Sequence, residues 1–276
     1  MAFVVLGWPD DKPRLRLDYR RFAYAGKFVT GRLGVAVVRS AAVDTNCGAV
    51  DTNRDTVDTN GDTVDTNRGA SGASDVDIDP NHTRSSASLP ALPDGLSESD
   101  FADDILAAVA FSADRTDEET LWLRYLTVRR DLRGSGRELG PRLAAFITAR
   151  AADRGYQRAR IAVNNVFSYR ALYKAGFAYT GRQTGIAELV LERPTARPAA
   201  VSRSRYRRGL SVFAEREGLS PAERTFLDAR REGDPPPLCS AVTEPPPESG
   251  SAPESELTPE PEPAPGVDRA DPDCSE

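Results

Sequence analysis

Val-Asp-Thr-Asn recurs at Val43, Val50, Val57 and Val64, a strict seven-residue period. Such a period ordinarily marks a coiled-coil seam, but this heptad contains no leucine and offers one β-branched apolar residue beside Asp, Thr and Asn. So little apolar surface does not offset the entropy of ordering the chain. Residues 40–100, rich in Asp, Thr, Asn, Ser and Gly, therefore read as a disordered, low-complexity insertion. Residues 233–276 hold 12 of the chain's 21 prolines and read as a disordered, acidic, solvated tail. What remains of the 276 residues is one domain's worth, about 170 residues, large enough to bury a core.

The formal charge of −6 conceals a division of sign. Residues 1–39 carry +5 and residues 105–232 carry +10, against −11 over residues 40–104 and −10 over residues 233–276. The foldable part is basic, which suits an anionic ligand, either a phosphorylated cofactor or nucleic acid. Arginine outnumbers lysine 33 to 3, and aspartate exceeds glutamate, a halophile-like composition. No apolar run approaches the roughly 18 residues of a membrane span. Phe3–Trp8 is too short and wrongly flanked for a signal peptide, so a cytoplasmic protein without membrane association is expected. Cys47, Cys239 and Cys274 lack CxxC or Cys/His spacing, and no disulfide framework or metal site is expected. Asp58, Asn60 and Asp62 stand two apart like the first ligands of a calcium loop, but no glutamate closes that loop. The single histidine, His82, lies in the insertion, which leaves Ser/His/Asp and Cys/His mechanisms without an imidazole.

Hydrophobic periodicity predicts strands at Arg14–Tyr19 and Leu33–Val38, then at Ile105–Phe111 and Leu121–Val128 around a polar turn. The insertion falls at the turn between Leu33–Val38 and Ile105–Phe111, where closure entropy grows only logarithmically with length. Leu139, Leu143, Phe146, Ile147 and Ala151 then recur at helical spacing, with Pro141 in the first turn and Gly155 beyond the end. A strand at Ala159–Val163, a short helix over 167–175 stopped by Gly176, and strands near Phe177–Thr180 and Ala187–Leu191 follow. The domain order is N-terminal strands over 1–39, a core over 101–192, and a helical extension over 193–232. The fold class expected is α/β (α+β), a mixed central sheet flanked by helices.

The most informative stretch is the strand Leu121–Val128 feeding a Gly/Arg loop, Arg130–Arg137, that opens the long helix. The first amides of a helix lack intrahelical partners and sit at the positive end of its dipole, so an unobstructed loop there can present them to a phosphate. Gly134 and Gly136 allow close approach, and Arg133 and Arg137 add charge. Taken alone, ordinary turn glycines at a helix entry account for the pattern as well. However, Val128 followed five residues later by Arg133-Gly134-Ser135-Gly136-Arg137-Glu138 resembles a signature of the GNAT N-acetyltransferase superfamily, Arg/Gln-x-x-Gly-x-Gly/Ala. Glu138 departs from it, standing where a small residue is expected, and a carboxylate facing a pyrophosphate is repelled. Asn164-Asn165 followed by Tyr173-Lys174-Ala175-Gly176-Phe177 resembles a second signature of the same superfamily, with one residue more than usual between Asn165 and Tyr173. The resemblance covers about residues 105–191.

The resemblance implies the acyl-CoA N-acyltransferase fold, acetyl-CoA as co-substrate, and direct attack by a primary amine of a small molecule or a protein. It implies that Arg133, Gly134, Ser135, Gly136 and Arg137 hold the pyrophosphate. A backbone donor among Leu126, Thr127 and Val128 would meet the thioester oxygen, Asn165 would help hold the cofactor, and Tyr173 would protonate the departing thiolate. Some members place a glutamate base six residues before the valine, where this chain has Trp122, with Arg124 two residues later. Glu119 and Glu188 remain as carboxylates that could act through water, or simply lie on the surface. Tyr19, Phe22, Tyr24 and Phe28 either line a compact acceptor pocket or pack in the core.

The extension has Tyr206, Leu210 and Phe213 on one helix face, and Ser220-Pro221-Ala222-Glu223 forms a capping box for a second helix. It reads as a helical hairpin packed on the core, or alternatively as a helix-turn-helix reader of DNA over 202–232. A catalytically silent CoA-binding module is the other alternative.

Overall fold

The computed structural model describes residues 1–40 and 89–240. Residues 41–88 of the expected insertion, with the Val-Asp-Thr-Asn repeat, and residues 241–276 of the expected tail lie outside the described residues. Among the described residues seven strands form one sheet: β1 (Ala2–Gly7), β2 (Gly34–Arg39), β3 (Ile105–Ala113), β4 (Thr120–Val128), β5 (Arg158–Val163), β6 (Ala178–Gln183) and β7 (Leu189–Pro194). Their spatial order is β1-β2-β3-β4-β5-β7-β6. The first four run antiparallel in sequence order, β5 and β7 pair antiparallel, and so do β7 and β6. β4 and β5 alone are parallel, joined by helix α1 (Leu139–Ala152). Helices α2 (Val166–Lys174), α3 (Arg203–Ala214) and α4 (Pro221–Arg230) complete the fold, the mixed sheet flanked by helices expected from the residue pattern.

β3 is apolar without alternation because both of its faces are covered. Ala107, Val109 and Phe111 face α1 through Leu143 and Ile147, in a cluster that continues to α2 and α3. Ala108 and Ala110 face the opposite way, under Leu15, Leu17, Phe22 and Phe28. That second cover corrects one expectation. Arg14–Tyr19 does not join the sheet; its Leu15 and Leu17 lie across the sheet face as a lid, and the outer strand is Ala2–Gly7. Alternation of apolar side chains marks burial of one side, which an extended cover segment satisfies as well as a strand does.

Residues 89–100, expected within the insertion, are among the described residues. Arg20, nearly buried, donates to the Asp18 carboxylate at 2.8 Å, to Glu98 at 2.5 Å and to the Pro90 carbonyl at 2.9 Å, which ties residues 90–98 to the domain. The C-terminal extension belongs to the core: Tyr206, Leu210 and Phe213 are buried against α2, and Tyr169 stacks on Tyr206 with ring centres 5.6 Å apart. A Cβ at Gly209 would lie 2.0 Å from the Tyr169 hydroxyl oxygen, so glycine is what lets α3 approach.

Candidate active site between the parted strands

β4 and β5 pair only from Thr120–Leu123 to Arg158–Ile161. Beyond Leu123, β4 runs on to Val128 without a β5 partner, and the two strands part. The cause is local. Ala110 opposes Tyr125 while Phe111 opposes Leu123, so Arg124 is the extra residue of a β-bulge that turns the end of β4. After the bulge the direction of each backbone group follows from alternation. The Arg129 amide donates to the Leu106 carbonyl of the β3 side at 3.0 Å, and the Val128 carbonyl accepts from Arg133 Nε at 3.1 Å on the other side. Leu126 and Val128 therefore aim their N–H groups into the gap, and Thr127 aims its own at β3. This narrows the three residues expected from the resemblance to two. The Thr127 hydroxyl is buried without a hydrogen-bond partner among the described residues.

β4 delivers the chain to the glycine loop at the head of α1. Gly134 and Gly136 have φ of 69° and 78°, a region that disfavours any residue with a Cβ, and a Cβ built on either meets nothing within 4 Å. The loop is thus open on the side where a side chain would stand. The amides of Arg133 and Ser135 turn back on the carbonyls of Arg130 and Leu132. Those of Gly134, Gly136, Arg137 and Glu138 have no acceptor among the described residues, and α1 adds the orphan amides of its own first turn. Burial, aided by the neighbouring Arg130 charge, pushes the Arg133 guanidinium pKa down; among the described residues no carboxylate pairs with it at the edge of the loop.

Glu138, the residue that departs from the signature, caps α1 with φ 52° and no side-chain cap. Its carboxylate is bound by Lys174 Nζ at 2.5 Å, at the end of α2. The lysine cancels the charge that would repel a phosphate, so the departure carries its own compensation.

Other expected site residues are placed differently. Asn165 caps α2, its Oδ1 accepting from the Ser168 amide at 2.8 Å. Tyr173 is 1% exposed, among α2, α3 and β6. Its hydroxyl accepts from the Tyr179 amide at 3.0 Å and lies 3.2 Å from the Tyr169 hydroxyl, which in turn donates to the Tyr206 carbonyl at 3.0 Å. With one proton per hydroxyl, the chain is satisfied when Tyr173 donates to Tyr169, and burial pushes its pKa up. The Tyr173 hydroxyl is thus engaged within the core. Glu119 sits at the head of β4, 65% exposed at the side chain and 3.5 Å from Arg158. It precedes Leu126 by seven residues, on the order of 20 Å along a strand. Glu188, just before β7, lies at the parted end of the sheet. Phe22 and Phe28 are core, whereas Tyr19 and Tyr24 are exposed, with Tyr24 5.6 Å from Tyr125 between ring centres. Ser112, Asp114, Tyr125 and Arg160 also border this region and escape a reading of the sequence alone, because a bulge and strand register decide their neighbours.

No family model matches the chain, and no curated protein does. Among solved structures it is similar to a nourseothricin acetyltransferase, at 22% identity over 33% of this chain and 59% of that one, with a TM-score of 0.30. It is similar to an N-acetyltransferase from Staphylococcus aureus Mu50, at 17% identity over 33% and 62%, with a TM-score of 0.30. A PaiA N-acetyltransferase from Thermoplasma acidophilum, in complex with coenzyme A, is 18% identical over 34% and 57%, with a TM-score of 0.28. This chain thus spans 57–62% of the length of these three proteins, all acetyltransferases.

Proposed function

We propose that the protein is an N-acetyltransferase that moves the acetyl group of acetyl-CoA to a primary amine by direct attack. The observation that carries this reading is the conjunction at one end of β4: two strands parted by a bulge, and an open glycine loop with unengaged amides heading α1. The described residues fit the co-substrate, which would supply the activated thioester. The loop amides of Gly134, Gly136, Arg137 and Glu138 and the Arg133 guanidinium would hold its pyrophosphate, with Glu138 neutralised by Lys174. The Leu126 or Val128 N–H, aimed into the gap, would meet the thioester oxygen, on which negative charge gathers during attack. A C–N bond forms and the C–S bond breaks. The amine's proton leaves to water, because Glu119 is at the wrong end of the strand, and the departing thiolate takes its proton from water, because Tyr173 is held in its own hydrogen-bond chain. The duplex-reading alternative is disfavoured by α3, whose apolar face is buried on the core.

Titration calorimetry of acetyl-CoA into the full chain, followed by thiol release with primary amines, tests the proposal. One-site heat is expected for the native protein, and at least tenfold weaker binding for Gly136→Ala, whose Cβ enters the cradle. Absence of heat refutes the reading. Heat without thiol release from any amine leaves only a silent CoA-binding module.

A further inference from the structure

On the sheet face opposite α1, Ser112, Trp122, Arg124 and Arg160 meet where β4 and β5 begin to part. Trp122 and Arg160 are register partners across the two strands. The Arg160 guanidinium lies 5.6 Å from the Trp122 ring centre and is neutralised twice, by Asp114 at 3.1 Å and Glu192 at 2.9 Å. The Arg124 guanidinium lies 4.8 Å from the same ring, and its Nε donates to Ser112 Oγ at 3.1 Å. No carboxylate among the described residues is within ion-pair distance of it, so its two terminal amino groups are unengaged. Asp114, the acid near enough to act on it, is turned to the Thr116 amide and hydroxyl at 2.9 and 2.8 Å and to Arg160. A half-buried cation without a counter-ion is costly, and burial pushes its pKa down.

We infer, on the acetyltransferase reading above, that Arg124 belongs to the acceptor site and binds a carboxylate carried by the amine substrate. The planar fork of a guanidinium matches a carboxylate with two parallel hydrogen bonds, and Trp122 holds its plane. Asp114 close by favours a monoanion over a phosphate dianion. The spacing narrows the class further. The guanidinium stacks back over Trp122, whereas Leu126, which bears the first N–H aimed into the gap, is four residues onward. At about 3.3 Å per residue these points are on the order of 10 Å apart. Amine and carboxylate are then separated by a chain of several carbons, as in 6-aminohexanoate, and are not on one carbon as in glycine.

The test compares kcat/KM for thiol release from acetyl-CoA with 6-aminohexanoate, its neutral analogue 6-aminohexanamide, and glycine. The native protein is expected to prefer 6-aminohexanoate at least tenfold over both. Arg124→Met collapses the preference over the amide to within about twofold, chiefly through KM, and Arg124→Lys keeps part of it by charge without the fork. Acetyl-CoA titration into each variant reports that it is folded. Equal use of acid and amide by the native protein, or a preference that survives Arg124→Met, overturns the inference. If acetyl-CoA binds the native protein and no carboxylate preference exists, this inference alone fails; if acetyl-CoA does not bind, the acetyltransferase reading fails with it.

Discussion

Replacing Tyr173 with phenylalanine separates a structural hydroxyl from a chemical one. The ring is kept, so no cavity term arises. What is lost is the acceptor of the Tyr179 amide at 3.0 Å and the partner of the Tyr169 hydroxyl at 3.2 Å, both buried. Leaving a buried N–H unpaired costs about 1–3 kcal/mol, and the lost hydroxyl contact adds about 1 kcal/mol. For a domain of this size each kcal/mol lowers Tm by about 2–4 °C, so a fall of roughly 4–16 °C is expected. Turnover measured well below that Tm should stay within about fivefold of native. A general acid behaves in the opposite way: its removal costs about 10²–10⁴-fold in rate and need not cost stability. Thermal unfolding of both proteins and thiol release at a low common temperature decide the matter. A Tm unchanged to within about a degree, with a rate reduced a hundredfold or more, would falsify the assignment of Tyr173 to the core.

Two further perturbations probe buried contacts away from the parted strands. Gly209→Ala places a methyl 2.0 Å from the Tyr169 hydroxyl and 2.4 Å from its ring carbon, in a region with no free side to yield. It should cost about 3 kcal/mol, near the upper end of overpacking penalties, and show as a lower denaturant midpoint; an unchanged midpoint would mean that α3 does not seat on α2. The Asp18 carboxylate accepts hydrogen bonds from the Arg20 side chain and amide, which hold its pKa below 3.8. A depressed folded-state pKa gives stability that is complete above the unfolded value and lost as pH falls through the folded one. Denaturant midpoints should therefore drop more steeply below about pH 4 in the native protein than in Asp18→Asn, and parallel curves would refute the contact.

How much of this was legible beforehand depended on whether a feature is local. The hairpin β3–β4, helix α1 and the capping box of α4 were readable from residue periodicity and cap chemistry, because backbone propensity and side-chain spacing act within a few residues. The glycine loop was legible too, since two glycines between a strand and a helix constrain φ locally, and both do adopt positive values. The surroundings of Tyr173 and Glu119 were not legible, for a common reason. A tyrosine at a helix end and a glutamate on a strand carry the same local signal whether they face a cleft, a core or solvent.

The sequence by itself determined that the described part of this chain folds as a helix-flanked sheet, and that one strand-loop-helix unit places glycines and arginines at the head of a helix. Those follow from composition, periodicity and spacing, which are properties of neighbours along the chain. Only the tertiary structure decided that Glu138 is neutralised by a lysine 36 positions away, that Tyr173 is enclosed by a helix beyond residue 200, and that Arg124 has no carboxylate partner among the described residues where the strands part. Whether a charge or a hydroxyl is free to act depends on what packing brings within about 3 Å of it. Residues distant in sequence supply those partners, and no local pattern records them.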